Sequence, residues 1–375
     1  MVAWAVTDAG LIKRLLRHPK ISKDAHEHGT DFVNEHMPEQ WPLRTWIQVR
    51  NALTAYGEEH TRLRRLLQKA FTPGRVADLQ PTIEQITTRL LDQLAAAPGR
   101  AADLRAEFAY LLPLLVISEL FGLPSRMHDG FRRCVGGLFA TNISETEAEA
   151  HAQGIYALLS ELVAEKRATP GDDLTSALIA ARDQDGTRLS EQELIDTLLL
   201  FIGAGHETTV NALDHAIVNL LTHPEQLRLI LAGPATWDDA IQETLRHQPP
   251  IFYLIMRFPT EDIEDEPSGL TFRKGTPIMI SYGAAGRDPE IHENADAFDI
   301  TRETRRAHLS FGHGTHYCLG APLAVLEAQI ALPALFSRFP ELALAVPAHQ
   351  LEPVASFISN GHTELPVYLD QVAAA

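Results

Sequence analysis

Apolar residues recur every three or four positions along most of the chain, the spacing of amphipathic helices. Several of these segments stop at proline or glycine, which end helices. The pattern predicts helices over Leu79 to Ala95, Phe108 to Phe121, Glu145 to Ala168, Trp237 to His247 and Ala321 to Phe339.

The longest predicted helix follows Ser190. Glu193 stands three residues later, the spacing of a capping box in which each side chain bonds to the other residue's backbone amide. The apolar run Leu198-Leu199-Leu200 continues the helical pattern, and Pro224 is a residue that interrupts helices. We therefore expect one helix from Ser190 to about His223.

Strand signals are weaker and shorter. They fall at Ile251 to Arg257, Leu270 to Phe272 and Pro277 to Tyr282, with two short runs near the C-terminus. No linker, repeat or low-complexity tract divides the sequence. The sequence therefore predicts one large, mainly α domain with small peripheral β-sheets over residues 1–375.

Charge and cysteine content narrow the class of protein. The net charge of −17 argues against nucleic acid as a partner, because phosphate binding needs a basic face. Two cysteines, Cys134 and Cys318, do not make a disulfide framework. The chain shows no signal peptide and no unbroken apolar stretch long enough to cross a membrane. We expect a soluble cytoplasmic protein without a membrane anchor.

The strongest chemical signal is the segment Phe311 to Gly320, FGHGTHYCLG, which leads into the last predicted helix. Its glycines let the backbone turn tightly and approach a flat ligand. Cys318 stands where the amides and positive end of a helix stabilise a thiolate. A thiolate can bind haem iron and promote cleavage of the O–O bond. The alternative, a buried cysteine in a glycine-rich turn, does not account for the ten-residue pattern.

This segment resembles the cysteine-loop signature of the cytochrome P450 haem-thiolate monooxygenases. Three further blocks of that family occur in the expected order: His60 to Arg65, Ala204 to Thr209, and Glu243 to Arg246. The resemblance covers nearly the whole chain and is closest to soluble actinobacterial members. It implies the cytochrome P450 fold. Relatives usually carry about one more helix and one more strand before Trp4, so the N-terminus is expected to be short.

The resemblance implies a haem b cofactor and a set of residues that bind it. Cys318 would be the iron ligand, and the propionates would contact His60, Arg64, Arg257 and His316, which are cationic or hydrogen-bonding side chains. The remaining residues expected to contact the haem are Ala204, Gly205, Phe311, Gly312 and Gly320.

Glu207 and Thr208 are the expected catalytic residues. An acid and an alcohol in the middle of a helix can relay protons to the reaction centre, and a threonine hydroxyl can also bond back to a preceding carbonyl and bend the helix. Glu243 and Arg246, three residues apart on one helix face, are expected to form a buried structural pair joined by Arg302.

By family position, the substrate pocket would draw on Trp46 to Leu53 and on Ser356 to Ile358. Its other expected residues are apolar or aromatic: Phe201, Ala204, Ile251, Phe252, Tyr253, Leu254, Ile255 and Phe357. Such a lining suits a hydrophobic or ring-bearing molecule. For any single one of these side chains, packing in the core is an equal alternative.

These features predict a monooxygenase that activates O2 and hydroxylates a hydrophobic or ring-bearing small molecule, in secondary metabolism or in oxidation of steroid-like or xenobiotic compounds. Electrons would pass from NAD(P)H through a separate reductase and a ferredoxin-type partner. An alternative is oxidative coupling or ring closure of a natural product, such as a cyclic peptide or polyketide. A haem sensor without catalysis is the third possibility, but it has no use for Glu207 and Thr208.

Overall fold

The computed structural model describes residues 3–29, 49–96, 101–138, 145–182 and 186–370. The first three positions of the predicted pocket segment Trp46 to Leu53 therefore lie outside the described residues. The α-helices, in chain order, are α1 Ala9–Arg17, α2 Ala25–His28, α3 Gly57–Ala70, α4 Pro73–Asp78, α5 Gln80–Ala96, α6 Leu111–Phe121, α7 His128–Leu138, α8 Glu145–Ala168, α9 Leu174–Ala180, α10 Glu191–Thr222, α11 Pro224–Ala232, α12 Trp237–His247, α13 Tyr282–Ala285 and α14 Ala321–Arg338. A π-helical turn, Arg105–Ala109, precedes α6.

Short strands form small sheets beside the helices. The strands are β1 Trp4–Val6, β2 Ile21–Ser22, β3 Ala101–Asp103, β4 Tyr253–Pro259, β5 Ile263–Asp265, β6 Leu270–Phe272, β7 Ile278–Ser281, β8 Ala343–Leu344 and β9 Pro366–Tyr368. One sheet has the order β1-β7-β4-β2, a second β3-β9-β8, and a third pairs β5 with β6. Strand β1 runs parallel to β7, with Trp4 opposite Ile278, whereas β4 is antiparallel to both of its neighbours.

The helix α10 lies at the centre of the helical core. It contacts α6, α8, α12 and α14, and most of its side chains are buried. Ser190 caps its start in a full capping box with Glu193, and His223 caps its end. The predicted helix from Ser190 to about His223 is therefore confirmed.

Two local differences from the predicted elements have simple causes. The segment predicted as one helix from Phe108 is a π-helical turn followed by α6 at Leu111. Pro113 has no amide hydrogen, and the first turn of a helix needs no such donor, which favours a new start there. Pro224 ends the long helix as predicted, but it also begins α11, which the sequence pattern missed.

Within the described ranges, no helix is both long and apolar enough to cross a membrane.

Candidate active site

Two glycines shape the loop ahead of Cys318. Gly312 and Gly314 have φ angles of +75° and +73°, a region that residues with side chains rarely adopt. A Cβ on Gly314 would also lie 2.7 Å from the carbonyl oxygen of Leu16. The amide of Cys318 donates a hydrogen bond of 2.8 Å to the carbonyl oxygen of Phe311, which closes the loop.

The Cys318 sulfur lies at the N-terminal end of α14. Burial raises the pKa of its thiol, whereas hydrogen bonds from the backbone amides of Gly320 and Ala321, together with the Arg64 charge, lower it. The residue as a whole keeps solvent-accessible surface. Amide donors at a helix start favour the thiolate, which is the form that binds a metal.

One stripe of α10 remains accessible in an otherwise buried helix. Phe201, Ala204, Gly205 and Thr208 recur at intervals of three and four residues, so they share a helix face, and each keeps accessible surface. Their neighbours on the other faces are buried: Ile202, His206, Glu207, Thr209 and Val210. The stripe offers small and apolar side chains to a ligand, with one hydroxyl among them.

The two expected catalytic residues point to different surroundings. Thr208 Oγ1 donates a hydrogen bond of 2.5 Å to the carbonyl oxygen of Ala204, within the accessible stripe. Glu207 is buried, and its Oε1 accepts from Asn211 Nδ2 at 3.2 Å and lies 3.4 Å from Arg105 Nη2. Burial raises the pKa of Glu207, while Arg105 and Asn211 lower it. Sequence analysis missed Arg105, although a charged residue between apolar Leu104 and Phe108 was a detectable signal.

Basic side chains gather near the loop. They are Lys23, His60, Arg64, Arg257 and His316. None of these five forms an ion pair with a carboxylate of the described residues, and burial and mutual repulsion lower the pKa of His60 to about 4. The rings of His60 and His316 lie 4.0 Å apart. Sequence analysis missed Lys23, which is buried and contacts the carbonyl oxygen of Ile255 at 3.4 Å.

Two atoms in this cluster are buried without a hydrogen-bond partner, Arg257 Nε and His60 Nε2. Buried cations and unpaired donors cost free energy unless an anion or an acceptor meets them. The two carboxylates of a haem would supply both, and the Cys318 thiolate would bind its iron. The described residues therefore fit a haem.

The buried ion pair expected on α12 is present. Glu243 and Arg246 contact at 2.7 Å with no exposed surface on either side chain, and Arg302 Nε lies 3.3 Å from Glu243. Arg246 also donates to the carbonyl oxygens of Gly286, Ala295 and Ala297. Two hydrogen bonds connect α12 to the segment before the cysteine loop. Gln242 bonds to His308, and the Ser310 hydroxyl donates to the carbonyl oxygen of Leu245.

The expected substrate residues fall into two neighbouring segments. The amide of Phe252 donates to the carbonyl of Ile358 at 2.7 Å, and Ile251 forms a β-bridge with Ser359. Phe357 is 46% exposed. Phe252 packs directly over Gly283, where a Cβ would lie 2.3 Å from its ring. Phe252 is half-buried, and its place in the pocket stays a prediction.

Residues 141–230 and 237–347 match the model of the cytochrome P450 family. The 2-hydroxy-5-methyl-1-naphthoate 7-hydroxylase of Streptomyces carzinostaticus is 41% identical over 100% of this chain and 91% of its own length. The 6-deoxyerythronolide B hydroxylase of Saccharopolyspora erythraea is 38% identical over 98% of this chain and 90% of its own.

Solved structures agree with these relatives. CYP154A1 from Streptomyces coelicolor A3(2) superimposes with a TM-score of 0.89 and 50% identity, over 98% of this chain and 91% of that one. The chain belongs to the cytochrome P450 family, and the predicted fold class is confirmed. It is a haem-dependent monooxygenase, similar to bacterial hydroxylases of secondary metabolism.

Proposed function

We propose that this cytochrome P450 hydroxylates a hydrophobic, ring-bearing small molecule of bacterial secondary metabolism. Electrons would come from NAD(P)H through a separate reductase and a ferredoxin-type protein. The observation that carries the proposal is the exposed residue Cys318, whose sulfur has two backbone amide donors at the start of α14. The relatives named above are a naphthoate hydroxylase and a deoxyerythronolide hydroxylase, both of which act on ring compounds by their names.

We assign roles in the site as follows. Bound haem supplies the activation of O2. Cys318 holds the iron, while His60, Arg64, Arg257 and His316 hold the propionates. Lys23, buried in the same cluster, adds positive charge near them. Charge-assisted hydrogen bonds of this kind fix both the position and the orientation of a carboxylate.

Glu207 and Thr208 divide the handling of protons. The Thr208 hydroxyl donates its own hydrogen to the Ala204 carbonyl oxygen, so on the accessible stripe its oxygen would accept a hydrogen bond from a proton-carrying group. Glu207, whose pKa is raised by burial, holds a proton closer to neutral pH than an exposed glutamate does, which suits a general acid.

The structural residues act on the loop rather than on the substrate. The segment that precedes Phe311 is stabilised by the ion pairs of Glu243 with Arg246 and Arg302. Hydrogen bonds connect α12 with His308 and Ser310 in that segment. The expected pocket would combine Phe201, Ala204, Ile251, Phe252, Tyr253, Leu254, Ile255 and Phe357.

The proposal is tested by a substrate screen followed by product analysis. Ring compounds that shift the haem spin state on binding are incubated with NAD(P)H, a ferredoxin and its reductase under isotopically labelled dioxygen. We expect a product that gains one labelled oxygen atom. A product that has lost hydrogen and gained no oxygen would indicate coupling or ring closure. Full reduction of the haem without turnover of any binding compound would favour a sensor.

A further inference from the structure

A guanidinium beside Glu207 has no role in the assignments above. Arg105, from the π-helical turn before α6, places Nη2 3.4 Å from Glu207 Oε1 and Nη1 3.9 Å from Asp214 Oδ2. Its Nη1 also donates a hydrogen bond of 3.0 Å to Asn211 Oδ1. Arg105 and both acids are buried. One positive charge therefore stands between two buried carboxylates of α10.

Asp214 is also contacted by the turn formed by residues 360–362. Its Oδ2 accepts from the His362 amide at 3.0 Å and contacts His362 Nδ1 at 2.8 Å. His215 directs Nε2 at the carbonyl oxygen of Asn360, 3.1 Å away. Asp214, His215 and His362 are spaced as metal ligands could be. Their own hydrogen bonds already account for the arrangement, so we assign no metal to it.

The same turn packs against Arg105 and Asn211. A Cβ on Gly361 would lie 2.3 Å from Asn211 Oδ1 and 3.2 Å from Arg105 Nη1. Only a glycine therefore allows the turn to approach this closely. The backbone at Gly361 packs closely against the Asn211 and Arg105 side chains. This packing limits how far Arg105 can move from the two acids.

The charges in this group are unequal. Burial raises the pKa of Glu207, Arg105 and Asn211 lower it, and the neighbouring Asp214 raises it again. Asp214 itself receives two contacts from His362. The Arg105 charge therefore interacts with both carboxylates, and its attraction to Asp214 weakens its interaction with Glu207.

Three other titratable groups near Glu207, namely Tyr110, His206 and His215, add no positive charge near neutral pH. Tyr110 is neutral there, since burial and the Glu207 charge raise its pKa. Burial lowers the pKa of His206 to about 4, and that of His215 to about 4 as well. His362 lies beyond Asp214, with 15% of its side chain exposed.

We propose that Arg105 is a positioning residue for Glu207, held between Glu207 and Asp214 so that the two acids compete for its charge, with His362 fixing Asp214. This inference rests on the proposed proton-handling role of Glu207. Arg105 orients the carboxyl group and sets the pH at which it carries its proton. Asp214 acts in the opposite direction.

The decisive measurement is an infrared titration of the Glu207 carboxyl in the haem-loaded protein. Its protonated C=O band is identified by subtracting the spectrum of Glu207→Gln. In Arg105→Gln we expect the titration midpoint to rise by about one pH unit or more, because a nearby cation is lost. In Asp214→Asn we expect it to fall, because a nearby anion is lost. Arg105→Lys keeps the charge and should stay close to the unchanged protein.

Arg62→Gln is the matched control, since Arg62 also contacts two carboxylates, those of Glu59 and Glu193. It should leave the Glu207 midpoint unchanged. If Arg105→Gln does not fold, Arg105→Lys, which should keep the midpoint of the unchanged protein, is compared with Asp214→Asn, which should lower it. Equal midpoints in all folded variants, or shifts of the same sign in Arg105→Gln and Asp214→Asn, would overturn the proposal.

The pH profile of product formed per NAD(P)H separates this inference from the proposed function. Arg105→Gln should move the profile in the protein with Glu207 and have no further effect in the Glu207→Gln background. An effect that persists in that background would mean a merely structural role for Arg105. If Glu207→Gln leaves the yield unchanged while the infrared shifts hold, the proposed role of Glu207 is wrong and the positioning by Arg105 stands.

Discussion

Arg64 Nη2 donates a hydrogen bond of 2.7 Å to the carbonyl oxygen of Tyr317, the residue immediately before Cys318. The helix α3 is thereby tied to the backbone that carries the sulfur. Burial raises the pKa of the Cys318 thiol, and the Arg64 charge opposes that rise. One side chain therefore links the basic cluster to the proposed iron ligand by a direct contact.

The two cysteines should behave differently when replaced. We expect Cys318→Ser to lose the strongly red-shifted Soret band of the reduced, carbon monoxide-bound protein, because a serine hydroxyl does not supply a thiolate. Cys134→Ser is the control, since Cys134 lies on α7, away from the loop, beside Gly154. An unchanged band in Cys318→Ser would contradict its assignment as iron ligand.

Adjacent threonines offer a sharp test of the proton relay. Thr208→Ala should lower the rate of product formation by about 100-fold while NADPH consumption continues, because the hydroxyl on the accessible stripe is lost. Thr209→Ala should keep most of the yield, since Thr209 is buried and bonds back to the Gly205 carbonyl at 2.9 Å. Yield per NADPH is measured for both. A larger loss in Thr209→Ala would show that helix packing, rather than the relay, governs coupling.

The buried ion pair of α12 should matter far more than a surface pair on the same helix. Glu243→Gln leaves the Arg246 and Arg302 charges buried with a neutral partner, so we expect a loss of about 3–5 kcal/mol in the free energy of unfolding. Arg306→Gln removes the pair with Asp238, in which Arg306 is 60% exposed, and should cost less than about 1 kcal/mol. Urea unfolding measures both, and equal losses would be inconsistent with this account.

His308 should make stability depend on pH. Its Nε2 contacts Gln242 Oε1 at 3.1 Å and its Nδ1 accepts from the Ser310 amide at 3.2 Å, so the bonds require the neutral ring. Burial, with nearby positive charges, lowers the pKa of His308 from 6.5 to about 4. As the pH falls, His308 therefore binds a proton in the unfolded chain before it does so in the folded protein. The contribution of His308 to stability is present above pH 6.5 and is lost between about 6.5 and 4.

Urea midpoints at pH 7 and pH 5 test this dependence. The difference between the two midpoints should shrink in His308→Gln, because the titrating group is gone. His349→Gln serves as the control, since His349 is exposed. The same difference in His308→Gln as in the unchanged protein would refute a role for His308.

Some features of this protein depend on neighbouring positions in the chain and could be predicted from them. The ends of α10 follow from the capping box at Ser190 and from Pro224, both local signals. The cysteine loop is a run of ten residues in which glycines and one thiol stand at fixed spacing. Propensity, capping and tight turns act within a few residues, so a single sequence contains them.

Other features arise only where distant segments meet. In the sequence, Lys23 is a charged residue near the N-terminus with no local sign of burial. In the folded protein it is buried beside Arg257. The close packing of the Phe252 ring over Gly283, 31 positions further along the chain, is likewise set by the fold.

The helical class, the central helix and the thiol proposed to bind iron could be predicted from the sequence alone, because these rest on local backbone preferences and on one contiguous motif. The contact of Arg105 with Glu207, 102 positions away, follows only from the tertiary fold. The burial of a charge and the sharing of one cation by two acids depend on which segments pack together, and that packing is a property of the whole fold.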